Sequence, residues 1–227
     1  MNELGCYQLG LVGYEGALRL QERLVREVQD GRQEDLLILL QHHPVVTLGR
    51  GTHPENLLQS ERRLQELGIE LHESPRGGDI TYHGPGQIVA YPILDLARRD
   101  EADLHAYIRK LEQVVMGVLA SFGVKGWREK GLTGVWTEGG KVAAIGIRVQ
   151  RWVTSHGFAL NVSTSLDAFN VIVPCGISGR PVTSLSKEAG QEISVDEALP
   201  VVMEAFGRVF DCTVQRRPPE DILLTAF

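Results

Sequence analysis

"RGGDITYHGPGQIVAYPILDL", residues 76–96, reads as a short strand followed by a Gly-Pro-Gly turn and then another strand. Asp79–His83 is rich in β-branched and aromatic side chains, and the stretch from Gln87 to Leu96 is an apolar run bounded by turn residues. Four glycines crowd the twelve residues from Arg76 to Gln87, although a hairpin turn needs one or two. Glycine lets backbone approach a ligand closely. The stretch is therefore both a piece of sheet and a candidate binding loop, with Arg76 and His83 as its charged and titratable members.

Outward from this stretch, helices and strands are interspersed. Residues 101–122 place Leu104, Ile108, Leu111, Val115 and Leu119 on one helical face, and residues 13–29 place Leu18, Leu20, Leu24 and Val28 at similar spacing. Pro54 suits the first turn of a helix running to about Leu67. "DLLILLQHHPVVTLGRG" gives two buried strands broken by Pro44, and "GIELHES" gives a third. Beyond Gly123 the chain is β-rich: VKGW, LTGVWTE, KVAAIGIRVQRWV and HGFALNV read as strands, with a hairpin turn at residues 138–141. Ser194 opens a capping-box pattern for a helix to about Val209, and CTVQ reads as a short strand. No repeat or linker divides the sequence. The expectation is one α+β domain over residues 1–227, a mixed or mostly antiparallel sheet with helices gathered on it.

Twenty-three basic and 29 acidic side chains leave a net charge of −6, which argues against a nucleic-acid partner. The longest apolar runs, such as LLILL at 36–40, are too short to span a bilayer, and the opening residues lack a signal-peptide pattern. Cys6, Cys175 and Cys212 are an odd, sparse set, so a reducing cytoplasmic setting is expected rather than a disulfide framework.

Phosphate loops, dinucleotide fingerprints, serine-hydrolase elbows and zinc spacings are absent from the sequence. His42 and His43 are adjacent, and in a strand they point to opposite faces, so they do not suit one metal. No metal or cofactor is expected. Two residues carry candidate chemistry. Most free cysteines are small buried hydrophobes, and Cys6 and Cys212, in apolar surroundings, fit that reading. Cys175 differs because it lies in "VIVPCGISGRPVTSL", lifted from regular structure by flanking proline and glycine. Lys141 follows Gly139 and Gly140 and would ordinarily be a solvated turn residue. Beside a thiol it can stabilise the thiolate, and in a dry pocket it can act as a base. In "HGFALNV", alternation sets Phe158, Leu160 and Val162 on one face and Ala159 and Asn161 on the other, while Ala143, Ala144 and Gly146 leave room beside a strand.

Four blocks together, "RGGDITYHGPGQIVAYPILDL", "GVWTEGGKVAAIGI", "HGFALNV" and "PCGISGRPVTSL", resemble the lipoyl(octanoyl) transferases in order and spacing. The resemblance implies the catalytic fold of the biotin/lipoate protein ligases. It also implies transfer of an octanoyl group from octanoyl-acyl carrier protein to a lysine of lipoyl domains, in 2-oxoacid dehydrogenase complexes and in the glycine-cleavage H protein. Carried over by position, Cys175 matches the nucleophile and Lys141 its partner. Arg76, Gly77, Gly78, Asp79, Ile80, Thr81, Tyr82 and His83 match a first substrate-binding stretch. Ala144, Ile145 and Gly146 match a second, and Gly157, Phe158 and Ala159 a third. Such an enzyme is expected to work without ATP and as a monomer. An acidic carrier would call for a basic surface near the site, for which Arg148, Arg151 and Arg180 are candidates by sequence proximity.

Overall fold

Alternating side chains build the centre of the molecule. The structure, a computed structural model, describes residues 2–174 and 180–223. Seven strands form one sheet in the order β10-β1-β2-β6-β9-β8-β7: β1 is Asn2–Val12, β2 Leu36–His42, β6 Gln87–Ile93, β7 Val135–Thr137, β8 Gly140–Gln150, β9 Val153–Asn161 and β10 Cys212–Arg217. β1 runs parallel to both β10 and β2, and every pairing from β2 to β7 is antiparallel, so the sheet is mixed. A second sheet of three strands sets β3 (Val45–Leu48) between β4 (Glu70–Glu73) and β5 (Ile80–His83).

The large sheet is covered on both faces. Helix α1 (Tyr14–Gln29) packs Leu20, Leu24, Val25 and Val28 on one side, with Ile38, Val89 and Ala159 beneath them. Helices α3 (Leu104–Ser121) and α5 (Val195–Phe210), the latter preceded by the short α4 (Leu185–Ala189), cover the other, where Val114, Val118 and Phe206 meet Phe158, Leu160 and Val162. The two-residue alternation expected in "HGFALNV" is what sends those side chains to opposite faces. A third cluster, holding Val46, Leu64, Ile80, Tyr82 and Phe169, packs the small sheet against α2 (Glu61–Glu66) and the 3-10 turn Leu166–Val171. Ser194 caps α5 with the full capping box, its side chain accepting from Glu197 N–H while Glu197 accepts from Ser194 N–H. Cys6 and Cys212 are buried thiols, and burial pushes Cys6 up to about 12.

Four local expectations need correction. Pro54–Asn56 is a single 3-10 turn, and α2 begins only after the Ser60 cap. Leu57 and Leu58 are held extended instead, bridging Ile172 and donating to Val171 O. "VKGW" is not a strand; only Trp127 makes an isolated bridge, to Trp136. "KVAAIGIRVQRWV" is not one strand either. It turns at Arg151 and Trp152, whose φ values of +49° and +65° are the left-handed pair of a tight hairpin. On α3, Leu104 stands in solvent at the capped end, and the buried stripe runs through Tyr107, Leu111, Val114 and Val118.

Candidate active site

The loop from Arg76 to Asp79 crosses from the small sheet to the large one. Gly77 N–H donates to Ile147 O of β8 at 2.9 Å, while Arg50 and Gly51 donate to the carbonyls of Arg76 and Gly78. Arg76 is buried and ties the crossing together. Its Nε and Nη2 reach Thr47 Oγ1, Nη2 also reaches Thr47 O at 2.7 Å, and Nη1 donates to the carbonyls of Gly77 and Asp79. The Asp79 carboxylate accepts from Asn56 Nδ2 and from the His53 and Ile80 N–H groups. Gly78 has φ +82°, which only glycine adopts without strain. Gly49 has no room for a Cβ, which would collide with the Gly78 carbonyl. The two glycines of "LGRGT" are thus part of the same crossing, a signal the sequence carried without context to read it.

Between the two sheets lies a cavity of about 50 Å³. Gly78, Asp79, Ile80, Thr81 and His83 form one wall. Ala144–Gly146 of β8 and Gly157–Ala159 of β9 form the other, with Tyr14, Tyr91 and His156 at one end. All three stretches singled out from sequence meet here. Two of their members do not: Gly77 serves the crossing to β8, and Tyr82 points into the small-sheet core, edge-on to Phe169 at 5.3 Å. Of the four loop glycines only Gly78 lines the cavity. Gly84 lies beneath the Tyr82 ring, and Gly86, at φ +82°, packs against Ser163. His156 opens the "HGFALNV" block, but Tyr14 and Tyr91 carried no local motif; a buried tyrosine in a strand and another at a helix start are ordinary core patterns.

A second, smaller hollow of about 10 Å³ adjoins the first, with Thr81, Ala144 and Ala159 lining both. It is lined also by Lys141, Asn161 and Pro174. Lys141 is 6% exposed, which removes it from the solvated-turn class. Its N–H donates to Pro181 O, its carbonyl accepts from Thr183 N–H, and its ammonium lies 5.6 Å from the Trp136 ring centre. The β7–β8 register slips between Val135 and Trp136, a bulge that re-aims Lys141 opposite Trp136. Pro174, bonded in the chain to Cys175, lines this same end; Cys175 itself lies outside the described residues.

His83 connects the two ends. Its Nδ1 donates to Gln87 Oε1 at 2.7 Å, Gln87 donates to Asn161, and Asn161 Nδ2 donates to Thr183 O beside Lys141. Burial, then the neighbouring His42, holds the His83 imidazole well below its ordinary range, so it is neutral near pH 7. His42 and His156 are also neutral, pushed by burial to about 4 and about 3. His42 Nδ1 donates to Val12 O, which leaves Nε2 to accept from Tyr91 O–H at 2.7 Å. His43 is exposed in the bend that follows β2, so the two histidines do not share a strand. Among the described residues no group of three or more His, Cys, Asp and Glu side chains could hold a metal ion. No helix among them is long and apolar enough to cross a membrane.

These histidines set an acid limit. Each folded-state value lies below the unfolded value of roughly 6.5, so the unfolded chain binds the proton first. Stability is therefore full above pH 6.5 and falls as pH drops through the window between 6.5 and about 4. At 1.36 kcal/mol per unit, His42 alone accounts for roughly 3 kcal/mol. The urea midpoint should fall steeply across this window in wild type and less steeply in His42→Asn; equal slopes would remove His42 from the account.

The three arginines proposed for a basic patch do not form one. Arg180 stands 5.5 Å from Trp136 and 3.4 Å from Glu129, at the Lys141 end. Arg148 faces Glu22 of α1, seven residues along β8 from Lys141, or about 23 Å. Arg151 is farther still, in the hairpin turn.

Known proteins share this fold. The family model described as the lipoyl protein ligase A/B catalytic domain matches residues 13–207. The octanoyltransferase of Geobacter sulfurreducens is 52% identical over 198 residues, covering 87% of this chain and 81% of that one. The octanoyltransferase of Caldicellulosiruptor saccharolyticus is 46% identical over 219 residues, covering 96% and 92%. Among solved structures, lipoate-protein ligase A bound with ATP superposes with a TM-score of 0.80 at 17% identity, over 98% of this chain and 92% of that one. A bipartite lipoate protein ligase of Thermoplasma acidophilum gives 0.78 at 16% identity, over 98% and 91%. At such identities the structural likeness establishes the fold, and the sequence relatives narrow the class. The chain belongs to the lipoyl protein ligase A/B catalytic domain family and, within it, groups with the octanoyltransferases, a class of acyltransferase.

Proposed function

We propose that this acyltransferase takes an octanoyl group from octanoyl-acyl carrier protein and delivers it to a lysine of a lipoyl domain through a thioester on Cys175. The observation that carries the reading is the channel that the two adjoining hollows mark out between the sheets. Ala144, Ile145 and Phe158 line the larger, and Pro174 and the buried Lys141 line the smaller. An acyl chain laid along it has its tail toward Tyr14 and Tyr91 and its carbonyl toward Lys141.

The chemistry balances without ATP. The Cys175 thiolate attacks the thioester carbonyl, a C–S bond to Cys175 forms, and the C–S bond to the carrier breaks, the carrier sulfur taking a proton from the Lys141 ammonium and leaving as a thiol. The acceptor amine then attacks the acyl-enzyme. A C–N bond forms, the Cys175 C–S bond breaks, and the amine proton passes to the now neutral Lys141, which restores the pair of Cys175 thiolate and Lys141 ammonium. Lys141 holds the thiolate in the first step and accepts a proton in the second. Tyr82 and Gly77 act only by shaping the wall. The acceptors are lipoyl domains of 2-oxoacid dehydrogenase complexes and the glycine-cleavage H protein. The enzyme acts as a single domain, monomeric, in the cytoplasm.

Intact-protein mass spectrometry tests this directly. Wild type and Cys175→Ala are mixed with octanoyl-acyl carrier protein in the absence of ATP. An octanoyl adduct on wild type alone, discharged by a lipoyl domain, is the expected result. Its absence from both, with pyrophosphate released once ATP, magnesium and free octanoate are added, would instead make the chain an ATP-dependent ligase. Rapid discharge to free octanoate with no acceptor would make it a hydrolase.

A further inference from the structure

Helix α3 buries a carboxylate that the reaction above does not use. Glu112 is 0% exposed, on the helix face turned toward the large sheet. Its Oε2 accepts from Arg109 Nη1 at 2.6 Å and Arg128 Nε at 2.8 Å. Two guanidinium groups therefore balance its charge, and a buried carboxylate requires such partners. Its other oxygen does something different: Oε1 accepts the backbone N–H of Gly134 at 3.2 Å.

Gly134 lies directly under Lys141. A Cβ built on it would stand 2.6 Å from Lys141 Cε, 3.3 Å from Lys141 Nζ and 2.6 Å from Ala143 O. Its φ of +129° is open to glycine and strained for other residues. The lysine side chain thus rests on bare backbone, and that backbone is pinned from below by Glu112. We infer that Glu112 is a positioning residue for Lys141: through the Gly134 N–H it fixes the surface on which the lysine side chain lies, and with it the place of the ammonium at the channel end. Glu112 touches neither substrate nor reacting atoms. Its neutralised charge means that it acts by reach and geometry. The inference rests on the reading of Lys141 as the proton acceptor.

Glu112→Asp separates reach from charge. It keeps a carboxylate for Arg109 and Arg128 but retracts it by one methylene, out of reach of Gly134. A misplacement of this size costs up to about 100-fold in rate when it displaces a catalytic group. The expected result is a fall in kcat of about tenfold or more, with KM for the octanoyl donor unchanged. The deciding measurement is a double-mutant cycle with Lys141→Ala. On that background Glu112→Asp should cost no more than about twofold, because the group it positions is gone. An equal loss on both backgrounds would make Glu112 merely structural and overturn the inference, with the role of Lys141 intact. A Lys141→Ala variant as active as wild type would overturn the underlying reading instead. If Glu112→Asp does not fold, Gly134→Ala displaces the lysine from the other side of the contact and enters the same cycle with the same criteria.

Discussion

Lys141→Ala is expected to lower octanoyl transfer by about 10³-fold, near 4 kcal/mol of transition-state stabilisation and within the range of a positioned general base. His83→Ala is expected to lose about tenfold. The ranking follows from where each side chain ends. Lys141 is buried at the channel end that also holds Pro174. His83 is committed to Gln87, and its imidazole is held neutral by burial. Losing it loosens the Gln87–Asn161–Thr183 relay but removes no group from the reacting end. Initial rates of transfer to a lipoyl domain, with thermal unfolding as a control for folding, check both variants. A larger loss for His83→Ala would exchange the two roles.

Ala144→Phe should switch chain-length preference. Ala144 is one of three residues shared by the two hollows, so a phenyl ring there closes the passage between them. It is half-buried and borders open space, so the ring has somewhere to go besides the core. An octanoyl chain would lose burial of about four methylenes, at roughly 0.8 kcal/mol each, or on the order of 100-fold in kcat/KM. A butanoyl thioester, needing only the near hollow, should keep its rate within a few-fold. Parallel losses for both chains would mean that the acyl group does not follow this channel.

The sequence was most informative where one residue type had one physical cause. The period-two pattern of "HGFALNV" set the faces of β9, and the Ser194–Glu197 box set the start of α5. Lys141, the Arg76–His83 loop and the small residues of β8 and β9 could be picked out one by one, but their meeting depends on two sheets facing each other. Nothing local encodes that. β1 went unread although Leu4 and Cys6 alternate with Glu3 and Gly5, because its length is interrupted by glycines and its partners are distant. The turn at Arg151–Trp152 lacks the Asn-Gly signature its backbone would ordinarily carry. Nothing in the sequence sets Glu112 apart from the other charges of its helix. Only the fold shows it facing inward, beneath the glycine that supports Lys141. Arg76 stood out in the sequence as the charged member of a candidate binding loop; the fold adds that it lines the cavity while tying the loop to Thr47, Gly77 and Asp79.

The parallel pairing of Asn2–Tyr7 with Cys212–Arg217 joins segments 210 residues apart. The three-stranded sheet, by contrast, comes wholly from residues 45–83. Contacts so distant in sequence are the slow ones to form. During synthesis at roughly 5–20 residues per second, the small sheet is complete on the order of ten seconds before β10 leaves the ribosome. Through that interval the nascent chain carries one wall of the channel with β1 unpaired along the side that β10 later covers. The interval is when a chaperone has the most to hold, and a synonymous change that slows translation between residues 83 and 212 would lengthen it without altering the finished protein.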